Sequence, residues 1–146
     1  MIIKVNKENL QIAAEINAES WQNSHSTLYS ESFIKRHNTA RQKVYLKNSM
    51  KDGKRLYMLV KEIPVGIVSI KDNLIEDLYI LPTEQHKGYG TDLLLFAIEE
   101  CRGTLSDDRV PQLLVNPFQP HSLCALSAFR LSPVFDYKWV IQIWSC

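Results

Sequence analysis

Three apolar segments in the middle of the chain follow one another too closely to be anything but hairpin strands. They read RLYMLVKE (55–62), PVGIVSIK (64–71) and LIEDLYIL (74–81), and each is rich in residues that favour strands. Ile63 and Pro64 lie at the first junction, and Asp72 with Asn73 lies at the second. A parallel crossover needs about a dozen residues or more, so these segments are predicted to form an antiparallel meander.

The rest of the chain predicts helices on either side of this meander. MIIKV at the start resembles a short strand, and helical spacing predicts a helix through Trp21 and a second helical region over 30–50. The pattern Thr39-x-x-Gln42 predicts a capping box at which that second region restarts, and Asp52-Gly53 ends it. TDLLLFAIEECRG predicts a helix that ends at Gly103.

Three further elements are predicted after Gly103. QLLVN (112–116) follows a helix and should therefore pair in parallel with LIEDLYIL. PHSLCALSAFRL predicts a short helix, and VFDYKWVIQIW a final strand. The order β, α, α, β, β, β, α, β, α, β predicts one α+β domain over 1–146, with a mixed, mostly antiparallel central sheet and helices on both faces.

Composition argues against several classes of function. The 146 residues carry a net charge of 17 − 16 = +1, so no strong field favours nucleic acid or an anionic membrane. No apolar run approaches the roughly 20 residues that span a bilayer, and MIIKVNKENL turns polar too soon for a signal peptide. We therefore expect a cytoplasmic protein that binds neither nucleic acid nor membrane.

The cysteines and histidines give no support to a metal site. The three cysteines show no CxxC spacing, and the four histidines show no HExxH pattern. Cys101 and Cys124 lie in predicted apolar helix faces, where a small core residue is a better interpretation than a hydrolase nucleophile. No metal cofactor is expected.

A turn with two glycines links the third strand segment to the next helix. It reads EQHKGYGTDLL (84–94), in a chain with only five glycines. A helix N-terminus presents unpaired N–H groups and a partial positive charge, which together bind anions. Gly88 and Gly90 allow positive φ and a close backbone approach. Residues 85–91 are therefore predicted to bind a phosphate group through their amides.

Three phosphate-binding patterns compete for this turn. A Walker loop requires GxxxxGK[ST], which is absent. A dinucleotide fingerprint requires GxGxxG, but Leu93 stands where the third glycine belongs. The pattern [QR]-x-x-G-x-[GA], typical of the pyrophosphate loop of coenzyme A-dependent N-acetyltransferases, is matched at every fixed position by Gln85 to Gly90.

The segment LYILPTEQHKGYGTDLLLFAIE resembles the central motif of the GNAT (Gcn5-related N-acetyltransferase) superfamily. The motif covers about 25 residues, and the order of elements resembles that family along nearly the whole chain. The resemblance implies acetyl-CoA as cosubstrate and transfer of its acetyl group to a primary amine of a small molecule or peptide by direct attack. The residues it implies for coenzyme A binding are Leu78, Tyr79, Ile80, Gln85, His86, Lys87, Gly88, Tyr89, Gly90, Thr91 and Asn116.

The resemblance also implies where the proton-transfer groups lie. A carboxylate on the strand before the loop is a common base in this family, which makes Glu76 and Asp77 the catalytic candidates, with Glu76 preferred. Strand alternation predicts that the two point to opposite faces. The family's tyrosine acid is missing, because Phe129 occupies its position, and Tyr137 is a substitute donor only in principle.

That departure leaves two other functions open. One is a degenerate GNAT domain that binds coenzyme A or acetyl-CoA without efficient turnover, and the other is an interaction module with no cofactor. The acceptor is not specified, although Trp21, His25, Tyr29 and Phe33 are candidates for its wall. KWVIQIW (138–144) fits either an internal strand or an edge that pairs two chains into a homodimer.

Overall fold

A computed structural model describes residues 1–103, 112–113 and 142–144. The chain begins with β1 (Ile2–Lys4), which is followed by α1 (Leu10–His25), α2 (Glu31–Arg36) and α3 (Thr39–Lys51). The meander comprises β2 (Arg55–Val60), β3 (Pro64–Lys71) and β4 (Leu74–Ile80). A 3₁₀ turn (Pro82–Glu84) then leads to α4 (Tyr89–Gly103), and β5 (Gln112–Leu113) and β6 (Gln142–Trp144) complete the described elements.

The sheet follows the order β1-β2-β3-β4-β5, and β6 also pairs with β4. β1 to β4 pair with one another in antiparallel fashion, whereas β5 and β6 run parallel to β4. The predicted meander and the parallel pairing of the QLLVN segment are both confirmed. The segments of the predicted helix near 120–131 and most of the predicted final strand lie outside the described residues.

Helices cover both faces of the sheet, as predicted. On one face α1 and α3 bury Leu10, Ala13, Ala14 and Leu46 against Leu56, Met58, Ile67 and Tyr79. On the other face α4 buries Leu93, Leu94, Ala97 and Cys101 against Val68, Ile70, Ile75, Leu78 and Ile80. Because side chains alternate along β4, Tyr79 packs on the face of α1 and α3, whereas Leu78 and Ile80 pack on the face of α4.

Two local predictions about the helices need correction. The cap of α3 is Asn38, whose side chain accepts from the Arg41 N–H at 3.0 Å, and not the Thr39 to Gln42 box. Asn38 supplies the capping oxygen one residue earlier, and this leaves the Gln42 side chain to be buried against α1. The apolar spacing of TDLLLFAIEECRG predicts a core face of Leu94, Leu95, Ile98 and Cys101, but Leu95 is 47% exposed and Leu93 is buried in its place.

Candidate functional site

The turn between β4 and α4 has the backbone geometry of an anion-binding loop. His86 has φ of 64° and Gly88 has φ of 80°, both in the left-handed region. The first helical bond of α4 runs from the Asp92 N–H to the Gly88 carbonyl at 3.1 Å, so the amides of Tyr89, Gly90 and Thr91 precede it. Amides arranged in this way around left-handed residues form a concavity that attracts anions.

The two glycines of this loop have different roles. A Cβ added at Gly88 would meet nothing within 4 Å, so this position requires glycine for its positive φ and for access. Gly90 lies in the first turn of α4 and is buried. The loop is thus open on the side of Gly88 and packed on the side of Gly90.

The loop side chains mostly brace the loop. Lys87 Nζ forms an ion pair with Glu84 Oε2 at 2.9 Å, and Gln85 Nε2 donates to the Ile80 carbonyl at 3.2 Å. His86 is exposed. The anion-binding capacity of this segment therefore comes chiefly from backbone amides and the helix terminus.

A β-bulge in β4 places the two candidate carboxylates in one network. Ser69 pairs with Asp77 and Ile70 pairs with Ile75, so Glu76 is the extra residue of β4. Glu76 forms an ion pair with Lys54, which also donates to Tyr45 Oη at 3.4 Å, and Tyr45 Oη in turn donates to Asp77 Oδ2 at 3.0 Å. The expectation of opposite faces was therefore wrong, because the bulge interrupts the strand alternation on which it rested.

Asp77 is held by its neighbours on two sides. Ser69 Oγ accepts from the Asp77 N–H at 3.1 Å and donates to Asp77 Oδ2 at 2.9 Å. With the Tyr45 hydroxyl, this gives Oδ2 two donors. Oδ1 has no hydrogen-bond partner among residues 1–103, so one oxygen of a fixed carboxylate remains available to a ligand.

Asp77 faces a pocket of about 270 Å³ between β4 and the helices α1 and α3. Its lining consists of Asn17, Trp21, His37, Arg41, Gln42, Tyr45, Asp77 and Tyr79. Glu76 is not part of this lining, since Lys54 holds it to one side. Of the two predicted catalytic carboxylates, only Asp77 is thus placed to meet a small molecule in this pocket.

Stacked rings form one wall of the pocket. Trp21 lies between His25, at 4.1 Å between ring centroids and 11° between planes, and His37, at 3.7 Å and 15°. Tyr29 and Phe33 pack at the edge of this stack. Only Trp21 among the four predicted wall residues lines the pocket, and the other three support it from the side.

Electrostatics keep Tyr45 neutral and Lys54 charged. Burial raises the pKa of Tyr45, and the negative charge of Asp77 raises it further. Burial lowers the pKa of Lys54, but the hydrogen bond to Glu76 and the charge of nearby groups outweigh this, and the net shift is upward. At neutral pH Tyr45 is therefore a hydrogen-bond donor to Asp77, and Lys54 neutralises Glu76.

The outer edge of β4 is shared by two strands. β5 pairs with Leu74 and Ile75, and β6 pairs with Asp77, Leu78 and Tyr79. The Ile80 carbonyl beyond them accepts from Ser20 Oγ at 3.3 Å as well as from Gln85. The resemblance assigned the backbone of Leu78, Tyr79 and Ile80 to coenzyme A binding. Part of this backbone already pairs with other groups of the chain, and Asn116 lies outside the described residues.

The sequence alone did not indicate Asn17, Tyr45, Lys54 or Ser69. Asn17 lies among the buried alanines of α1. Tyr45 lies within α3 and Lys54 just after it, and both resemble ordinary surface residues in the sequence. Ser69 is recognised only through its register opposite Asp77. The i, i+4 spacing of Arg41 and Tyr45 on α3 was the one available signal, and it says nothing about β4. No group of three potential metal ligands occurs in the part of the chain that the structure describes.

Solved structures similar to this chain include N-acetyltransferases. PaiA N-acetyltransferase from Thermoplasma acidophilum in complex with coenzyme A is 24% identical, with a TM-score of 0.56, over 70% of this chain and 72% of that one. A GCN5-related N-acetyltransferase from Ralstonia eutropha JMP134 is 11% identical, with a TM-score of 0.63, over 97% of each chain. YncA from Salmonella typhimurium, a putative acetyltransferase with its cofactor acetyl-CoA, is 20% identical, with a TM-score of 0.52, over 71% and 64%.

These structures share the fold described above. No similar sequence is found among curated proteins. Residues 14–123, which include most of α1, all of α2 to α4 and the whole meander, match the model of the acetyltransferase (GNAT) family. The chain therefore belongs to the GNAT family of acetyltransferases.

Proposed function

We propose that this protein is a cytoplasmic N-acetyltransferase that moves the acetyl group of acetyl-CoA to a primary amine of a small molecule. The observation that carries the proposal is the course of β4. This strand places Asp77 in a pocket of about 270 Å³ and, five residues after Ile80, leads into the amide-rich loop before α4. One strand thus connects a proton acceptor to an anion site, as direct transfer between two bound substrates requires.

The loop fits the pyrophosphate of coenzyme A. Its amides precede the first bond of α4, and the open space at Gly88 admits a phosphate group close to the backbone. Residues 85–91 would hold this group, and acetyl-CoA, when bound, supplies the activated acetyl thioester. PaiA and YncA, which share the fold, contain coenzyme A and acetyl-CoA respectively.

The edge of β4 sets a condition on this fit. Leu78 and Tyr79 are paired with β6, so their outward backbone groups serve an extended ligand only when β6 releases them. Ile80 lies one residue beyond this pairing and next to the loop. The affinity for acetyl-CoA is therefore expected to include the free energy needed to separate β6 from β4.

Asp77 is the proposed general base. A primary ammonium group has to lose a proton before its nitrogen can attack a carbonyl carbon, and Asp77 Oδ1 is available to receive that proton. Ser69 and Tyr45 fix the carboxylate through Oδ2 at 2.9 and 3.0 Å. Asp77 lines the pocket, whereas the Lys54–Glu76 pair keeps Glu76 out of that lining.

Two measurements test this function in sequence. Calorimetric titration should give micromolar binding of acetyl-CoA. It should give no binding of NAD, because the loop does not match the dinucleotide fingerprint GxGxxG. A panel of small primary amines should then release free thiol from acetyl-CoA. Binding without thiol release would identify a coenzyme A-binding domain instead, and no binding at all would remove the cofactor from the function.

A further inference from the structure

The pocket beside Asp77 carries charges of both signs at different places. Asp77 lies on β4, whereas Arg41 lies on α3, four residues, or about 6 Å along the axis, before Tyr45. Tyr45 Oη donates to Asp77 Oδ2, whereas no ion pair joins Arg41 to Asp77 among the described residues. A ligand that spans the pocket therefore meets an acidic group in one place and a basic group in another.

Arg41 has no acidic partner in the described part of the chain. The ion pairs found there involve Lys35, Lys54, Arg55, Lys61 and Lys87. The two other pocket-facing polar groups of α3, Gln42 and Tyr45, contact Asn17 and Asp77. A guanidinium is always charged and presents a planar fork of donors that matches a carboxylate. Arg41 is exposed and lines the pocket, so its guanidinium is open to a carboxylate on a ligand.

Asn17 supplies a second unsatisfied group. Its side chain is 2% exposed, and Nδ2 donates to Gln42 Oε1 at 2.8 Å. Oδ1 is the only buried side-chain polar atom without a partner among the described residues. A buried acceptor left without a donor costs about 1–3 kcal/mol. Because this oxygen is shielded from solvent, a ligand N–H reaches it only when neighbouring side chains shift. Asp77, in the lining of the same pocket, is the more accessible acceptor for an ammonium group.

Aromatic rings line the space between these groups. Trp21, Tyr45 and Tyr79 are part of the lining, and the histidines on both sides of Trp21 restrict its ring. Such rings suit short alkyl chains and attract an ammonium group at their faces. The small volume and the rigid wall fit a molecule with a short apolar part, and they leave little room for a folded protein surface.

From these features we propose that the acceptor is a free amino acid, a primary amine that also carries a carboxylate, with the carboxylate on Arg41 and the amine at Asp77. This inference rests on the proposed function, since it names the acceptor of the same site. A polyamine would bring a second ammonium group toward Arg41, and like charges repel. A peptide N-terminus has an amide where the carboxylate would be, so it would leave Arg41 unpaired.

The test compares amino acids with the amines that lack only the carboxylate. L-leucine is paired with isopentylamine, and 5-aminopentanoate with butylamine. Each is titrated into the protein with and without coenzyme A, and each is assayed for thiol release from acetyl-CoA. Because charge-assisted hydrogen bonds contribute about 1.5–3 kcal/mol, we expect the carboxylate-bearing member of at least one pair to bind about tenfold tighter or more.

Variants assign the difference to Arg41. Arg41→Met should abolish this preference, because it should lower the affinity for the amino acid and leave the affinity for the matching amine unchanged. Lys43→Met is the matched control, because Lys43 is exposed on the same helix and does not line the pocket. Equal binding within both pairs, equal losses for both members in Arg41→Met, or no binding of any of the four would overturn the proposal.

The two proposals fail in different ways. Selective binding of an amino acid without thiol release would keep the ligand class and remove the transferase. Thiol release with plain amines and amino acids at equal kcat/KM would keep the transferase and remove the ligand class. Loss of acetyl-CoA binding concerns only the loop at 85–91.

Discussion

The loop at 85–91 and the pocket beside Asp77 are built in opposite ways. The loop is seven consecutive residues, and its useful groups are backbone amides. The pocket draws its lining from α1, the start of α3 and β4, between Asn17 and Tyr79, and its useful groups are side chains. The comparison shows why the proposed cofactor site was visible as a local pattern, whereas the proposed acceptor site had to be assembled by the fold.

The difference predicts distinct responses to substitution. Backbone amides are sensitive to changes in φ and insensitive to most changes of side chain. A pocket of side chains responds to the loss of single polar atoms. Variants in the two regions should therefore separate binding of acetyl-CoA from transfer of its acetyl group.

The largest expected effect is on transfer in Asp77→Asn. An amide cannot accept the proton, so kcat should fall about 10²- to 10⁴-fold, while the affinity for acetyl-CoA is retained. The rate of thiol release at saturating amine gives kcat, and calorimetry gives the affinity for acetyl-CoA. Glu76→Gln is the matched control and should lose less, because Glu76 pairs with Lys54 outside the pocket. A larger loss in the control would move the base to Glu76.

The next effect concerns Gly88→Val and the affinity for acetyl-CoA. A β-branched residue at φ of 80° costs on the order of 1–3 kcal/mol, which corresponds to about 10- to 100-fold in affinity if the loop abandons this conformation. Gly53→Val is a close control, since Gly53 has φ of 89° and equally open space but lies after α3. Both variants should lose thermal stability, and only Gly88→Val should lose binding.

A smaller effect is expected in Tyr45→Phe. The tyrosine hydroxyl donates to Asp77 Oδ2 at 3.0 Å and thereby helps to fix the carboxylate. Removing it should lower kcat/KM about tenfold at neutral pH and leave the affinity for acetyl-CoA unchanged, as measured by thiol release and calorimetry. Tyr29→Phe, in which the ring lies outside the pocket lining, should leave kcat/KM unchanged. An unchanged kcat/KM in Tyr45→Phe would contradict the role of Asp77 as base.

The pairing of β6 with β4 predicts a modest effect of opposite sign. A chain that ends at residue 139 lacks β6, so Leu78 and Tyr79 would offer their outer edge without competition. If the chain remains folded by circular dichroism, its affinity for acetyl-CoA should rise a few-fold, since each net backbone hydrogen bond contributes about 0.5–1.5 kcal/mol. Weaker binding in a folded truncated chain would show that β6 supports the cofactor site.

The smallest effect is the dependence of stability on His25. Burial lowers the pKa of His25 below its usual 6.5, and nearby His37 adds to this, although the hydrogen bond to the Trp21 carbonyl opposes it. The unfolded chain therefore binds a proton more readily, so the free energy of unfolding should fall as the pH drops below about 6.5. His25→Phe keeps a ring against Trp21 and should reduce this acid sensitivity in thermal melts between pH 7 and 5.

Much of the fold was predictable because its signals are local. Gaps of one and two residues between the predicted strand segments required hairpins, Gly53 marked the end of α3, and the apolar spacing of 91–103 gave α4. The errors arose where a neighbour in space overrode the local pattern. Asn38 replaced Thr39 as the cap, and the bulge at Glu76 cancelled the alternation that had separated it from Asp77.

Gly66 shows the same limit from another side. Its place in β3 looked ordinary in the sequence, yet a Cβ there would lie 2.8 Å from the Tyr79 carbonyl oxygen. The pairing of β3 with β4 therefore requires glycine at position 66, because a side chain there would collide with the backbone of Tyr79, thirteen residues further along the chain. No pattern within β3 reveals such a requirement.

The sequence by itself determined the meander, the helix order and the glycine-containing turn proposed to bind phosphate, because each depends on residues that are neighbours along the chain. Only the tertiary structure decided which carboxylate faces the pocket and what surrounds it. The physical reason is that Ser69, Tyr45 and Lys54 act on Asp77 and Glu76 through contacts across the sheet, from within α3 and from the segment after α3. Those contacts are set by a one-residue bulge in register, which side-chain periodicity alone does not encode.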